Sequence, residues 1–258
     1  MNNRNIALHL LLLTYKITKI PLIKDIWWKV YLFFKKIYKN KQVKIKIHGF
    51  QIFQPFNYTY PITSRLFKNY NSPLIECVYQ ASKIRGRGII FFDIGAAIGD
   101  TVLLIKSNCS EMISCFYCIE GDAEFFNYLK INMTPFNNVF CINNILSDIS
   151  GKTNSLVRIH SGTASAQGNN EVTAITFDEI ISSLNINQLD LIKIDTDGYD
   201  GKILKGSEKT IKKFMPLIIF EWHPLLCIQT KTDYNEHFST LKKLNYNNFI
   251  WFTKFGEF

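Results

Sequence analysis

Ile89-Ile90-Phe91-Phe92-Asp93-Ile94-Gly95-Ala96-Ala97-Ile98-Gly99-Asp100-Thr101 is the stretch on which the fold turns. Its opening apolar run is too short for a helix and is bounded by glycine, the pattern of a buried strand in a parallel sheet. From Asp100 to Ile105, helix-start residues precede an apolar segment. Gly95 and Gly99 fall in the turn between. Glycine there permits positive φ and lets a ligand approach the backbone, beside the unpaired N–H groups of a helix start. Strand, glycine loop and helix together make a cradle for a nucleoside-bearing ligand, although a glycine loop alone is also an ordinary turn.

Spacing and charge narrow the ligand. A dinucleotide fingerprint needs G-x-G-x-x-G with a pyrophosphate over the helix start. This loop is Asp-x-Gly-x-x-x-Gly, one glycine short and preceded by an acid that repels phosphate. Asp93 instead suits a ligand with positive charge and hydroxyls, as in S-adenosylmethionine with its ammonium, sulfonium and ribose. A second apolar run, Cys115-Phe116-Tyr117-Cys118-Ile119, ends in Glu120, where ribose hydroxyls are held in such folds. Leu191-Ile192-Lys193-Ile194 ends in Asp195, and Leu217-Ile218-Ile219-Phe220 ends in Glu221. Four strand-end acids would lie along one edge of an open parallel sheet, where ligands bind.

These residues resemble the FkbM family of S-adenosylmethionine-dependent methyltransferases. The resemblance rests on Phe92 to Thr101, on Leu191-Ile192-Lys193-Ile194-Asp195-Thr196-Asp197-Gly198-Tyr199-Asp200 and on Phe220-Glu221-Trp222-His223-Pro224. It spans roughly residues 89–224, and the lysine-isoleucine-aspartate block is its specific part. Four positions depart from the family pattern: Ala97 replaces the usual asparagine, Gly121 the usual proline, and Asp197 and Asp200 the usual glutamates. The resemblance implies an α/β fold, a Rossmann-like class I methyltransferase with a mostly parallel seven-stranded sheet and helices on both faces. It also implies O-methyl transfer. Asp93, Gly95, Ala97, Gly99, Asp100, Thr101, Glu120, Ser147 and Asp148 are the expected cofactor residues, with Ser147 and Asp148 at the end of the third strand.

The chain of 258 residues is 47% hydrophobic and 20% charged, a globular composition long enough for one substantial core. Its net charge of +9 is unevenly placed. Residues 1–48 hold eleven Lys and Arg against the single acid Asp25, while the remainder is close to neutral. A nucleic-acid enzyme needs its positive stripe around the active cleft, so nucleic acid is not an expected partner. Cys115 and Cys118 fall inside a strand, where neither a redox turn nor a zinc knuckle forms. The six cysteines read as reduced thiols of a cytoplasmic protein.

Three segments follow: a basic apolar arm at 1–48, a lead-in hairpin, loop and helix at 49–88, and the methyltransferase domain at 89–258. Ile6 to Leu13 is too short to span a bilayer, which needs about 20 residues, and lacks the layout of a signal peptide. Beyond Pro21, Ile23, Ile26, Trp27, Val30, Phe34 and Ile37 recur at helical spacing, with lysines mostly off that stripe. Such a helix either lies in the inner face of an anionic membrane or packs on the domain as an ordinary basic helix. Val43 to Phe53 predicts a hairpin turning at His48-Gly49. Residues 55–73 and 151–170 show no periodicity and read as loops, and Phe249 to Thr253 reads as a final strand.

Methyl transfer to a hydroxyl needs in-line alignment and removal of a proton. Asp195, Asp197 and His223 are the candidates for that chemistry. Asp195 is alternatively a cofactor or metal ligand, and His223 alternatively a structural loop residue. No metal site is assigned. The leading expectation is an O-methyltransferase acting on a cell-envelope glycan or lipid-linked sugar, peripheral to the membrane. A non-catalytic membrane-peripheral protein that keeps the fold is the alternative, favoured by Ala97. A nicotinamide-dependent dehydrogenase is disfavoured by the missing glycine.

Overall fold

The computed structural model describes residues 3–14, 20–39, 41–67, 69–154, 157–160, 163–165 and 171–253. Residues 15–19 of the expected basic arm, and parts of the loop expected at 151–170, lie outside these residues. The chain forms two compact units, one of Met1–Ser72 with Phe252–Phe258, the other of Pro73–Trp251.

The first unit contains α1 (Asn3–Thr14), α2 (Pro21–Tyr38), the strands β1 (Gln42–Ile47) and β2 (Phe50–Pro55), and α3 (Tyr60–Leu66). The hairpin forms as its alternation dictates: Val43, Ile45 and Ile47 are buried while Lys44 and Lys46 face solvent. His48 and Gly49 both take positive φ in its two-residue turn. The stripe expected on α2 divides. Trp27 and Tyr31 are buried, whereas Ile23, Ile26, Val30 and Ile37 remain exposed. Residues 55–73 are not the patternless loop expected, because α3 forms there. Pro61 sits in its first turn, where no N–H is needed, and Tyr60, Pro61 and Ile62 are buried. Among the described residues no helix is long and apolar enough to cross a membrane.

The second unit runs α4 (Ser72–Arg85), β3 (Ile89–Ile94), α5 (Asp100–Cys109), β4 (Ile113–Ile119), α6 (Ala123–Met133), β5 (Val139–Ile142) and β6 (Ile145–Leu146). It continues through β7 (Gly151–Asn154), β8 (Val157–His160), β9 (Thr163–Ser165), β10 (Glu171–Ile175), α7 (Phe177–Ser183) and β11 (Leu191–Ile194). It closes with α8 (Asp200–Lys205), α9 (Glu208–Phe214), β12 (Leu217–Phe220), α10 (Pro224–Thr230) and α11 (Glu236–Lys243). The main sheet is wholly parallel in the order β12-β11-β3-β4-β5. Phe91 and Phe92 in its central strand are fully buried, and Phe92 stacks on Tyr117 at 4.6 Å. From β3 the chain steps outward to β4 and β5, then returns to the other side as β11 and β12. The loops after β3 and β11 therefore diverge, which opens the ligand crevice of an open α/β sheet.

Among the described residues this sheet has five strands, not the seven expected. The stretch Phe249 to Thr253 forms no strand. Phe249 and Trp251 instead pack their rings on Phe238, at 5.4 Å each, so side chains rather than a ladder hold the segment. β6 leaves the main sheet to join β10 and β7 in a separate three-stranded sheet. The loop expected at 151–170 is accordingly part strand, with β7 against β10 and a short β8–β9 hairpin. Between β11 and β12 the chain forms two short helices, α8 and α9.

At the opposite end of β3, Asp190 is 2% exposed and clamped. Arg87 Nη1 and Nη2 donate to its two oxygens, each at 2.9 Å, and Arg85 Nε lies 3.0 Å away. The Ile90 N–H adds a fourth contact at 2.9 Å. Burial alone would push Asp190 up, but the hydrogen bonds from Arg87 and Ile90 outweigh it and hold the carboxyl below its usual value. Asp190→Ala is expected to cost about 2–3 kcal/mol of stability at neutral pH, measured by urea unfolding. Because the folded carboxyl is the stronger acid, this contribution is complete above the ordinary aspartate range. It disappears as pH falls through the folded value. A variant with unchanged urea midpoint would show the clamp to be neutral.

Candidate active site

The pocket lies over the ends of β3, β4 and β11 and occupies about 640 Å³ including its open mouth. Ile94, Ile119, Phe125, Ile145, Leu146 and Ile203 supply apolar walls. Glu120, Asp195 and Asp197 supply acids. Of the residues expected from sequence, Gly95, Ala97, Glu120, Asp195 and Asp197 meet here. The lining does not include Asp93, Gly99, Asp100, Thr101, Ser147, Asp148 or His223.

Local geometry explains the division. Gly95 takes φ +79°, and a Cβ there would lie 2.0 Å from the Asp195 carbonyl oxygen. A Cβ on Gly99 would lie 2.5 Å from Met133 Cε. Both glycines therefore admit close protein neighbours; Gly95 also lines the pocket, whereas Gly99 does not. Ala97 carries φ +46°, a region that asparagine tolerates better. Its N–H donates to Glu120 Oε2 at 2.8 Å, and the Asp122 N–H donates to Oε1 at 2.7 Å. These two bonds aim the carboxylate at the pocket.

Asp93 is not at a strand end. It lies within β3, fully buried, with its Oδ1 at 3.0 Å from Lys193 Nζ, and Lys193 also reaches Asp195 at 3.3 Å. Burial of Lys193 opposes its charge, but Asp195 and Asp93 outweigh that and keep it protonated. Thr101 hydrogen-bonds Asp93, so both serve the pair beneath the pocket. Asp100 opens α5 and is buried. Ser147 and Asp148 follow β6 rather than the third strand of the main sheet, since the Ser147 N–H donates to Ile175 O. His223 caps α10, its Nδ1 accepting from the Leu226 N–H at 3.3 Å, and is exposed.

The loop after β11 is shaped by Asp200, whose Oδ2 accepts from the Thr196 N–H at 3.3 Å and hydroxyl at 2.9 Å. Asp197 then takes φ +53°. Two further carboxyls, Asp200 and Glu221, interact with this cluster. Burial first, then Asp195 and Asp200, push Asp197 up to about 8. Burial and Asp195 raise Asp200 to about 7. Burial with Asp195, Asp200 and Asp197 raises Glu221 to about 9. Burial also lifts Glu120 to about 7, against the lowering hydrogen bonds from Asp122 and Ala97. So many mutually repelling carboxyls, with Lys193 as their buried cation, favour a cationic ligand and disfavour a phosphate. Among the described residues no three acidic, histidine or cysteine side chains are arranged to hold a metal ion.

The sequence pattern of the methyltransferase FkbM domain matches residues 93–247, which include every pocket-lining residue. The chain belongs to the FkbM methyltransferase family. No curated protein matches it in sequence. Among solved structures, methyltransferase FkbM from Methylobacillus flagellatus KT is similar at 16% identity and TM-score 0.43, covering 61% of this chain and 36% of that one. Precorrin-6y C5,15-methyltransferase from Geobacter metallireducens GS-15 aligns at 13% identity and TM-score 0.38, covering 66% and 70%. Aeropyrum pernix fibrillarin with natively bound S-adenosyl-L-methionine aligns at 13% identity and TM-score 0.37, covering 81% and 74%. This chain thus spans little more than a third of the Methylobacillus FkbM protein.

S-adenosylmethionine is the cofactor that the family match implies. The residues present fit it: apolar walls for the adenine, Glu120 for ribose hydroxyls, and Asp195 for positive charge. Glu120→Gln is expected to weaken S-adenosylmethionine binding about 10- to 100-fold, as for the loss of a hydrogen bond to a charged group. Affinity of the natural chain should strengthen as pH rises through about 7, where Glu120 ionises. Calorimetry showing unchanged affinity in a folded variant would remove Glu120 from the site. Sequence reasoning missed Phe125, Asn144, Ile145, Leu146, Tyr199 and Ile203. Their apolar or neutral character gives no chemical signal, and only the fold gathers them.

Proposed function

We propose that the chain is an S-adenosylmethionine-dependent O-methyltransferase whose acceptor is a hydroxyl of a cell-envelope glycan or lipid-linked sugar, working in the cytoplasm. The observation that carries the reading is the pocket at the sheet's switch point, apolar on one side and lined by Glu120, Asp195 and Asp197 on the other. Bound there, S-adenosylmethionine supplies an electrophilic methyl carbon on a sulfonium. Glu120 orients the ribose, and the isoleucine and phenylalanine walls exclude water. Asp197 accepts the proton that the attacking hydroxyl loses as the carbon–oxygen bond forms and the carbon–sulfur bond breaks. The products are a methyl ether and S-adenosylhomocysteine. Asp195, 3.3 Å from Lys193, stands next to the cationic centre.

Oxygen as the methylated atom and a sugar as the acceptor rest on the family resemblance. The net negative charge of residues 89–258, with 14 Lys and Arg against 19 Asp and Glu, speaks against a nucleic-acid acceptor. The non-catalytic alternative rested on Ala97. That residue acts through its N–H on Glu120, so the loop's bond to the ribose-holding acid needs no asparagine side chain. The test is release of S-adenosylhomocysteine with a panel of envelope glycans, alongside calorimetry of S-adenosylmethionine against NAD. NAD binding tighter than S-adenosylmethionine, or no turnover with any glycan while another nucleophile class is methylated, would overturn the reading.

A further inference from the structure

The first unit leaves an apolar surface that its own fold does not cover. Helix α1 is apolar almost all round. Ala7, Leu8, Leu11 and Leu12 are buried on one side, while Ile6, Leu10 and Leu13 are exposed on the other, Leu13 by 76%. On α2 the packed edge is Trp27 and Tyr31, and the adjacent edge exposes Ile26 at 60% and Phe33 at 61%. The two helices are joined by a hydrogen bond from Trp27 Nε1 to Thr14 Oγ1 at 3.1 Å. Between them runs an apolar groove of about 730 Å³ including its open side, which includes Leu10, Ile26 and Val30. Polar lining is nearly absent, so water finds few partners there. Patches of this kind mark interaction surfaces.

We infer that this groove and its rim dock on an anionic lipid bilayer. Charge decides the occupant. Ile26, Lys29, Phe33 and Lys36 follow one another at i, i+3, i+7 and i+10, so the exposed lysines run along the border of the apolar edge. Residues 1–48 carry eleven basic residues against one acid. A second copy of the chain would bring the same positive rim against itself, and like charges so placed oppose association. Nucleic acid would meet the lysines but leave the isoleucines and phenylalanines in water. An anionic bilayer satisfies both, with apolar side chains at the acyl boundary and lysines at the headgroups. The inference goes beyond the reading of the active site and does not depend on it.

The test mixes the full chain with vesicles of phosphatidylglycerol and phosphatidylcholine, or of phosphatidylcholine alone, and measures the pelleted fraction. Partitioning is expected to be at least tenfold stronger on the anionic vesicles and to fall with added salt. Ile26→Glu with Phe33→Glu should reduce it tenfold or more. Lys29→Gln with Lys36→Gln should reduce anionic binding several-fold and flatten its salt dependence. All four positions are exposed, so each variant should keep the natural melting temperature and S-adenosylmethionine affinity. Equal binding to both vesicle types, no binding, or an apolar-edge variant that binds undiminished would overturn the inference. So would a micromolar dimer abolished by Ile26→Glu with Phe33→Glu, which would show a second copy to be the occupant.

Discussion

Replacing Asp197 with asparagine is expected to lower turnover about 10²- to 10⁴-fold, the usual contribution of a positioned general base. S-adenosylmethionine affinity should change only a few-fold, because the interaction is made as the hydroxyl attacks. Asparagine tolerates positive φ, so the +53° backbone at this position survives the change. The natural enzyme should show kcat/KM rising with pH and levelling above about 8, since Asp197 must be ionised to accept a proton. His223→Asn supplies the contrast. Asparagine also caps helices, so α10 is kept and turnover should remain near the natural value. Methyl transfer to the acceptor, followed across pH for both variants, checks the assignment. Near-natural turnover in Asp197→Asn, or a collapse in His223→Asn, would move the proton acceptor elsewhere.

Replacing Lys193 with methionine should be the most damaging single change to stability, about 3–5 kcal/mol, the cost of stripping one partner from a buried ion pair. The lysine is 8% exposed and stands among Asp93, Asp195, Asp197 and Glu221. Without it those carboxyls repel one another with no buried cation between them. Asp200, Asp197 and Glu221 already have folded values raised to about 7, 8 and 9. A raised carboxyl binds more protons folded than unfolded, so its stabilisation is complete below the unfolded value and is lost as pH rises through the folded one. The deficit of Lys193→Met should therefore be smallest near pH 4 and grow up to about pH 9. Asp93→Asn combined with Lys193→Met should recover part of the loss, as coupled neighbours do. Urea unfolding at several pH values measures both. A pH-independent deficit below about 1 kcal/mol would show that the pair is not holding the cluster.

Short apolar runs, glycines and strand-end acids were enough, read along the chain, to identify a parallel α/β sheet and its glycine loop, while the family came from the resemblance of three motifs. Each of these signals is local: a buried strand must be apolar throughout, and a left-handed turn must tolerate positive φ. The hairpin at His48-Gly49 was legible for the same reason. The order of strands around β3 was decided by tertiary structure, and with it the division of labour among acids that look alike in sequence. Asp93 lies in β3 and Asp195 follows the neighbouring strand β11, yet one is spent inside the sheet on Lys193 while the other faces the pocket. The strand expected at Phe249 was lost to ring packing on Phe238, a long-range contact with no periodic signature. The stripe on α2 was correctly helical, but which edge of it would be covered depended on what packed against Trp27 and Tyr31. Periodicity fixes which residues share a face; only the packed neighbours decide whether that face is core, pocket or open surface.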